Sequence, residues 1–179
     1  MDRNVVVGFS KPKNRTPIIG YLFSWGIRLL EGTGYSHVYV RWYVPKLDVN
    51  VVYEASGTQV KMINKERVFD HYAEAVEEYS VELSEEEYGR LLGFCLRNAG
   101  VSYGGKAAVG VLWPKIGKRL GKKWKNPFRD GDYSWFCNEM IGTMLKESKE
   151  IDIEIDLEST GPKTLRNFMT QWSGAKRIL

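Results

Sequence analysis

The chain has 179 residues and a mass of 20.6 kDa, the size of one domain or of two very small ones. Hydrophobic residues make up 43% and charged residues 27%, close to globular averages, which excludes fibrous and disordered classes. The net charge is only +4, and there are two cysteines (Cys95, Cys137) and two histidines (His37, His71). Large metal clusters and disulfide frameworks are therefore excluded, and any thiol or metal chemistry rests on those four residues plus carboxylates.

Residues 5–9 are a short apolar run that reads as a first strand. Thr16-Pro17 has the form of an N-cap followed by proline at the first helical position, and a helix is predicted to about Leu30, ended by Gly32 and Gly34. Its apolar residues nearly encircle it, so it is buried or lies against a surface. The stretch 17–30 is shorter than the roughly 20 residues a spanning helix needs. The opening Met-Asp-Arg-Asn-Val-Val-Val-Gly has no charged n-region, long apolar core or cleavage site, so no signal peptide is read. Two cysteines do not require an oxidising compartment. The expectation is a soluble protein made in the cytoplasm.

Residues 36–44 alternate, with Val38, Val40, Trp42 and Val44 on one face and His37, Tyr39, Arg41 and Tyr43 on the other. A turn over 45–50 leads to strands at 51–55 and 58–63, an antiparallel meander. A further strand is read at 78–83. Seven glutamates fall within residues 74–87, and those at its end belong to a capping box, Ser84 with Glu87, that opens a helix to Ala99. Cys95 lies on the core face of that helix and reads as a small buried hydrophobe. A small-residue helix at 106–113, a basic run at 115–125, a polar loop at 126–133 and an amphipathic helix at 134–146 follow. The alternating segment 151–157 reads as an edge strand or an extended loop, and a last helix starts at Gly161-Pro162 and runs to about Met169. With no internal repeat, residues 1–179 form a single α+β domain, an antiparallel sheet packed against helices.

Cys137 falls in the first turn of the predicted 134–146 helix, where Asp132 or Ser134 can cap the end. A helix N-terminus carries roughly half a positive charge, which favours a thiolate, and its free amides suit a developing oxyanion. The position fits a nucleophile, and it also fits a structural cysteine. His37 opens a strand on the polar face, where it is either an exposed polar residue or a rigidly mounted base. Glu54 interrupts an apolar strand. Pairing Val44 with Val51 sets Glu54 opposite Arg41 on the face carrying His37, so it either orients the imidazole or forms an ion pair with Arg41. His71 has no partner at meaningful spacing. The four Cys and His residues have no recognised zinc spacing, and there is no P-loop, dinucleotide glycine pattern or serine elbow, so no metal and no cofactor is expected.

The basic run holds Lys115, Lys118, Arg119, Lys122, Lys123 and Lys125. It is either a solvated face or a contact for phosphate, anionic lipid or an acidic polymer. It is short, and no stacking motif of an RNA-binding sheet accompanies it, which speaks against nucleic acid.

Taken in order, Tyr-Ser-His-Val-Tyr-Val (35–40), Val-Tyr-Glu-Ala (52–55), Gly-Val-Ser-Tyr-Gly (100–104), Trp-Phe-Cys-Asn-Glu-Met-Ile (135–141) and Gly-Pro-Lys-Thr-Leu (161–165) resemble the circularly permuted, papain-like NlpC-type cysteine hydrolases, in their YiiX-like branch. The resemblance spans residues 5–168. It implies a permuted papain-like fold with His37 as base, Glu54 as orienting residue and Cys137 as nucleophile. Tyr35, Ser134 and Asn138 are the candidates around the oxyanion; Asn138 stands where that family often has Ser, and Met140-Ile141 where it has Leu-Val. The implied activity is cleavage of an amide bond, as in cell-wall peptides, or of an acyl ester or amide. The implied partners are a peptide or lipid-like substrate and an anionic surface, membrane or wall polymer. The implied source is a phage or bacterium, with action in a host cell. The competing function is a catalytically inactive binding module of the same fold.

Overall fold

A computed structural model of the chain describes residues 3–13, 18–103, 113, 116–117, 120–124, 134–151, 153 and 161–179. Apolar alternation builds the central strands. β1 (Arg3–Pro12) lies between β2 (His37–Val44) and β5 (Ala73–Leu83), antiparallel to both. β3 (Val49–Ser56) and β4 (Gln59–Asn64) extend the sheet by antiparallel pairing. Short β6 (Ser102–Tyr103), β7 (Ser134–Trp135) and β8 (Ala175–Arg177) complete the order β7-β6-β4-β3-β2-β1-β5-β8. Only the β6–β7 pair among the described strands is parallel. The architecture is α+β, with an antiparallel sheet packed against helices.

One face of the sheet carries Val5, Val7, Phe9, Val38, Val40, Trp42, Tyr53 and Val81 into the main core. Three helices cover it: α3 (Glu85–Asn98), α4 (Cys137–Lys149) and α5 (Pro162–Gln171). They contribute Leu91, Phe94, Cys95, Met140, Ile141, Met144, Leu165 and Met169, all but fully buried. Each large side chain so buried stabilises the fold by roughly 1.5–3 kcal/mol before entropy is counted. On the opposite face Tyr39 and Val52 pack against Val68 of α2 (Lys65–His71). The remaining helix, α1 (Ile18–Glu31), buries Ser24, Ile27 and Glu31.

The capping box stands as predicted: the Glu87 amide donates to Ser84 Oγ at 3.2 Å and the Ser84 amide donates to Glu87 Oε2 at 2.7 Å. Gly32, with φ of +65°, ends α1 as expected. Other boundaries differ. β5 starts at Ala73 rather than 78, and its added glutamates are matched by cations from the sheet and from α5: Glu74 pairs with Lys11 at 3.1 Å, Glu77 with Arg166 at 2.8 Å and Glu78 with Arg41 at 2.6 Å. α2 has no apolar stripe and was not predicted; its start is fixed by Asn64, whose side chain accepts from the Glu66 and Arg67 amides. β8 was too short to predict.

The predicted 134–146 helix starts instead at Cys137. Ser134 and Trp135 pair with Ser102 and Tyr103, and the N-cap is Phe136, without a side-chain cap. Ser134 is therefore not the cap. The Thr16-Pro17 cap, most of the 106–113 helix, Lys115, Lys118, Arg119, Lys125, the 126–133 loop with Asp132, and most of 151–157 lie outside the described residues.

Candidate active site

β2 begins with His37 and antiparallel β3 ends just past Glu54, so both residues arrive at the same end of the sheet. The predicted register is corrected by two residues. A tight 3-10 turn over Pro45–Leu47 pairs Val44 with Val49, not Val51. Val40 then faces Tyr53, so Glu54 falls beside Tyr39 and reaches diagonally to His37 rather than to Arg41. The predicted alternative, a Glu54–Arg41 pair, does not form. Arg41 binds Glu78 with both nitrogens, Nε to Oε1 at 2.7 Å and Nη2 to Oε2 at 2.6 Å, and Tyr39 donates to the same carboxylate at 2.6 Å.

His37 Nε2 lies 3.0 Å from Glu54 Oε2. The other carboxylate oxygen accepts from Ser56 Oγ at 2.6 Å and faces Lys61 Nζ at 3.4 Å, its direct neighbour across β4. Burial disfavours the Glu54 charge, but its bonds to His37 and Ser56 and the nearby Lys61 outweigh that and hold the carboxyl down at about 2. Cys137 also acts on His37, near enough to raise the imidazole pKa. With Nε2 on Glu54, the ring nitrogen left for the sulfur is Nδ1. Burial alone would lower the imidazole pKa; the influence of Cys137 and the bond and charge of Glu54 push it up to about 10. The imidazolium is thus favoured near neutral pH, with Glu54 as its counter-charge.

Cys137 is the first residue of α4, where helix amides are unpaired and the positive end of the dipole is strongest. It is buried, at 1% exposure, in a small cluster with Phe136, against which Phe23 of α1 and Tyr103 of β6 pack. Burial, together with the charges of Cys137 and Glu54, raises the Tyr103 hydroxyl pKa well above its ordinary value, so it stays a neutral donor beside the thiol. A cleft of about 510 Å³ opens on His37, Glu54, Ser56 and Tyr103. Its other walls are largely apolar, with Phe23 and Ile27 from α1 and Ile63, Val68 and Tyr72 from the β4–β5 region. Cys137 itself is not among the residues that line the cleft.

The other predicted positions divide. Asn138 is fully buried beside Cys137 in the first turn of α4. Tyr35 goes elsewhere: its ring packs on Phe9 at 5.0 Å, and the charges that reach it are those of Glu77, Arg166 and Glu31, with Tyr79 beside them. Cys95 is in the core, and burial pushes its thiol up to about 12, as fits an unreactive cysteine. His71 ends α2, edge-on to Tyr72 at 6.0 Å. Of the basic run, Lys122 sits over Trp124 at 6.0 Å, and Lys122 and Lys123 are exposed. Among the described residues no three His, Cys, Asp or Glu side chains converge as metal ligands. Ser56, Lys61 and Tyr103 were not singled out from sequence. The two-residue spacing of Ser56 from Glu54 on one strand face was the available signal for the first.

Comparison with protein-family models, with curated proteins and with solved structures found no match.

Proposed function

We propose that this protein is a cysteine hydrolase that cleaves an amide or acyl ester through an acyl-thioester on Cys137, on a permuted papain-like scaffold of the NlpC type. The observation that carries this reading is His37, hydrogen-bonded to Glu54 at 3.0 Å, with Cys137 near enough to raise the imidazole pKa. His37 takes the thiol proton and Glu54 supports the imidazolium. The sulfur attacks the substrate carbonyl, forming a C–S bond while the carbonyl electrons move to oxygen. Amides of the first turn of α4 and the Tyr103 hydroxyl stabilise that oxyanion. The tetrahedral intermediate collapses, the C–N or C–O bond breaks, and the His37 proton goes to the leaving group. Water, deprotonated by His37, then attacks the thioester and releases the acid. The sulfur leaves as thiolate, and the proton on His37 restores the starting pair. The apolar cleft favours a substrate with an apolar acyl portion, peptide or lipid-like.

One observation favours the second reading, a binding module without chemistry: Cys137 is buried at 1% exposure and does not line the cleft. A thiol-directed acyl probe separates the two. Hydrolysis requires labelling of the wild type that vanishes in Cys137→Ala and persists in Cys95→Ala. Equal labelling of both cysteines, or none, refutes it.

A further inference from the structure

α1 presents two apolar faces, one turned into the fold and one exposed. Phe23, Ser24 and Ile27 point inward and, with Gly20, wall the cleft. About 180° around the helix, on its 3.6-residue period, stand Ile18, Leu22, Trp25 and Leu29. Each of these four is more than half exposed, up to 74% at Ile18. Tyr21 borders the stripe and is exposed as well. Scattered surface leucines need no explanation, but four large apolar residues in register on one helix face mark a contact surface.

Charges of both signs lie around the stripe, with cations in slight excess. α1 carries a single cation, Arg28, and a single acid, Glu31. Glu31 is buried on the inward side, where the Lys163 amide donates to its carboxylate at 3.0 Å and Lys163 Nζ donates to its carbonyl at 2.9 Å. Arg28 lies at the edge of the stripe, its guanidinium 6.0 Å from the Tyr21 ring. Beyond them a groove adds Lys11, Lys13 and His71, with Asp70 and Glu74 as its acids, and Glu74 is already paired with Lys11. An outward apolar stripe with Trp and Tyr, and with Arg28 at its edge, has the composition of a helix that lies in a bilayer interface. At 14 residues it does not span one.

We propose that α1 docks the protein on an anionic lipid bilayer, with Ile18, Leu22, Trp25 and Leu29 entering the interface and Arg28 meeting the headgroups. The inner face of the same helix walls the cleft, so the helix that docks is also part of the candidate site. This does not depend on Cys137 acting as a nucleophile.

Vesicle sedimentation with the full chain tests it. Vesicles of phosphatidylcholine with phosphatidylglycerol are expected to pellet the wild type and Cys137→Ala alike, and more strongly than pure phosphatidylcholine vesicles. The double variant Leu22→Glu/Trp25→Glu is expected to lose more than about tenfold in partitioning, since two side chains no longer enter the apolar phase. Trp25→Ser alone should lose part of that, and Arg28→Glu should weaken binding to the anionic vesicles only. Leu96→Glu, an exposed apolar position on α3, should change nothing. All four substituted side chains on α1 and α3 are at the surface or its edge, and circular dichroism confirms that each variant is folded. Wild-type protein that stays in the supernatant, as expected of a helix made for a protein groove, overturns the proposal. So does a folded double variant that pellets like the wild type, or equal pelleting by both vesicle types. Vesicle binding without any acylation of Cys137 refutes the hydrolase reading alone.

Discussion

Glu54→Gln isolates the link on which the site's electrostatics turn. The substitution keeps the size and planar shape of the side chain, removes the charge 3.0 Å from His37 Nε2, and leaves one amide oxygen where two carboxylate oxygens had accepted from Ser56 and His37. A neighbouring opposite charge moves a pKa by about one to three units, or about 1.4–4 kcal/mol of imidazolium stabilisation. The Lys61 ammonium, 3.4 Å from the same carboxylate, loses its partner and then acts on His37 in the same downward direction. The His37 midpoint should therefore fall from about 10 to between about 7 and 9, with the influence of Cys137 retained. Long-range proton–nitrogen NMR reads this directly, because the chain has only two histidines and His71 serves as an internal control. A wild-type His37 titrating near the ordinary 6.5, or a midpoint unmoved in Glu54→Gln, would refute the reasoning.

The same pair gives a stability window. His37 is raised from 6.5 to about 10, so its contribution is whole below pH 6.5 and is lost as pH rises through 10; Glu54 is lowered from 4.5 to about 2, so its contribution is whole above pH 4.5 and is lost as pH falls through 2. The Tm difference between wild type and His37→Gln should then be largest between pH 4.5 and 6.5, and a difference flat from pH 3 to 10 would contradict the pairing. Gly8→Ala would put a methyl group 2.1 Å from the Tyr39 ring, which is itself fixed to Glu78, and should cost at least about 1–3 kcal/mol in denaturant unfolding. Tyr103→Phe removes a donor beside Cys137 and should lower kcat by about a hundredfold with KM little changed; an unaltered kcat would remove Tyr103 from the oxyanion site.

Much of this site was legible in the sequence because its parts sit where local rules are strong. Alternation placed His37 on the polar face of a strand, and an acid in the apolar run Val-Val-Tyr-Glu-Ala needed a reason. The buried fate of Cys95 followed from helical spacing and that of the Ser84 helix from its capping box. What failed depended on long-range pairing. The turn at Pro45–Leu47 is two residues tighter than read, and that slip moves Glu54 from Arg41 to His37. The lower half of β5 reads as polar until its glutamates are matched with Lys11, Arg41 and Arg166, which come from three different elements. Tyr35 shares a motif with His37, yet at two residues' distance its ring enters the core against Phe9. The short strand at Ser134–Trp135 has no signal apart from the edge it pairs with, so the helix was started three residues early.

The most direct test of the central claim is the intact mass of the protein during turnover of a chromogenic 4-nitrophenyl ester. The expected result is a burst of nitrophenol matched by one acyl group per chain, located on Cys137 and absent from His37→Gln. Steady release with no covalent adduct, or an adduct that persists in His37→Gln or sits on Cys95, would contradict it.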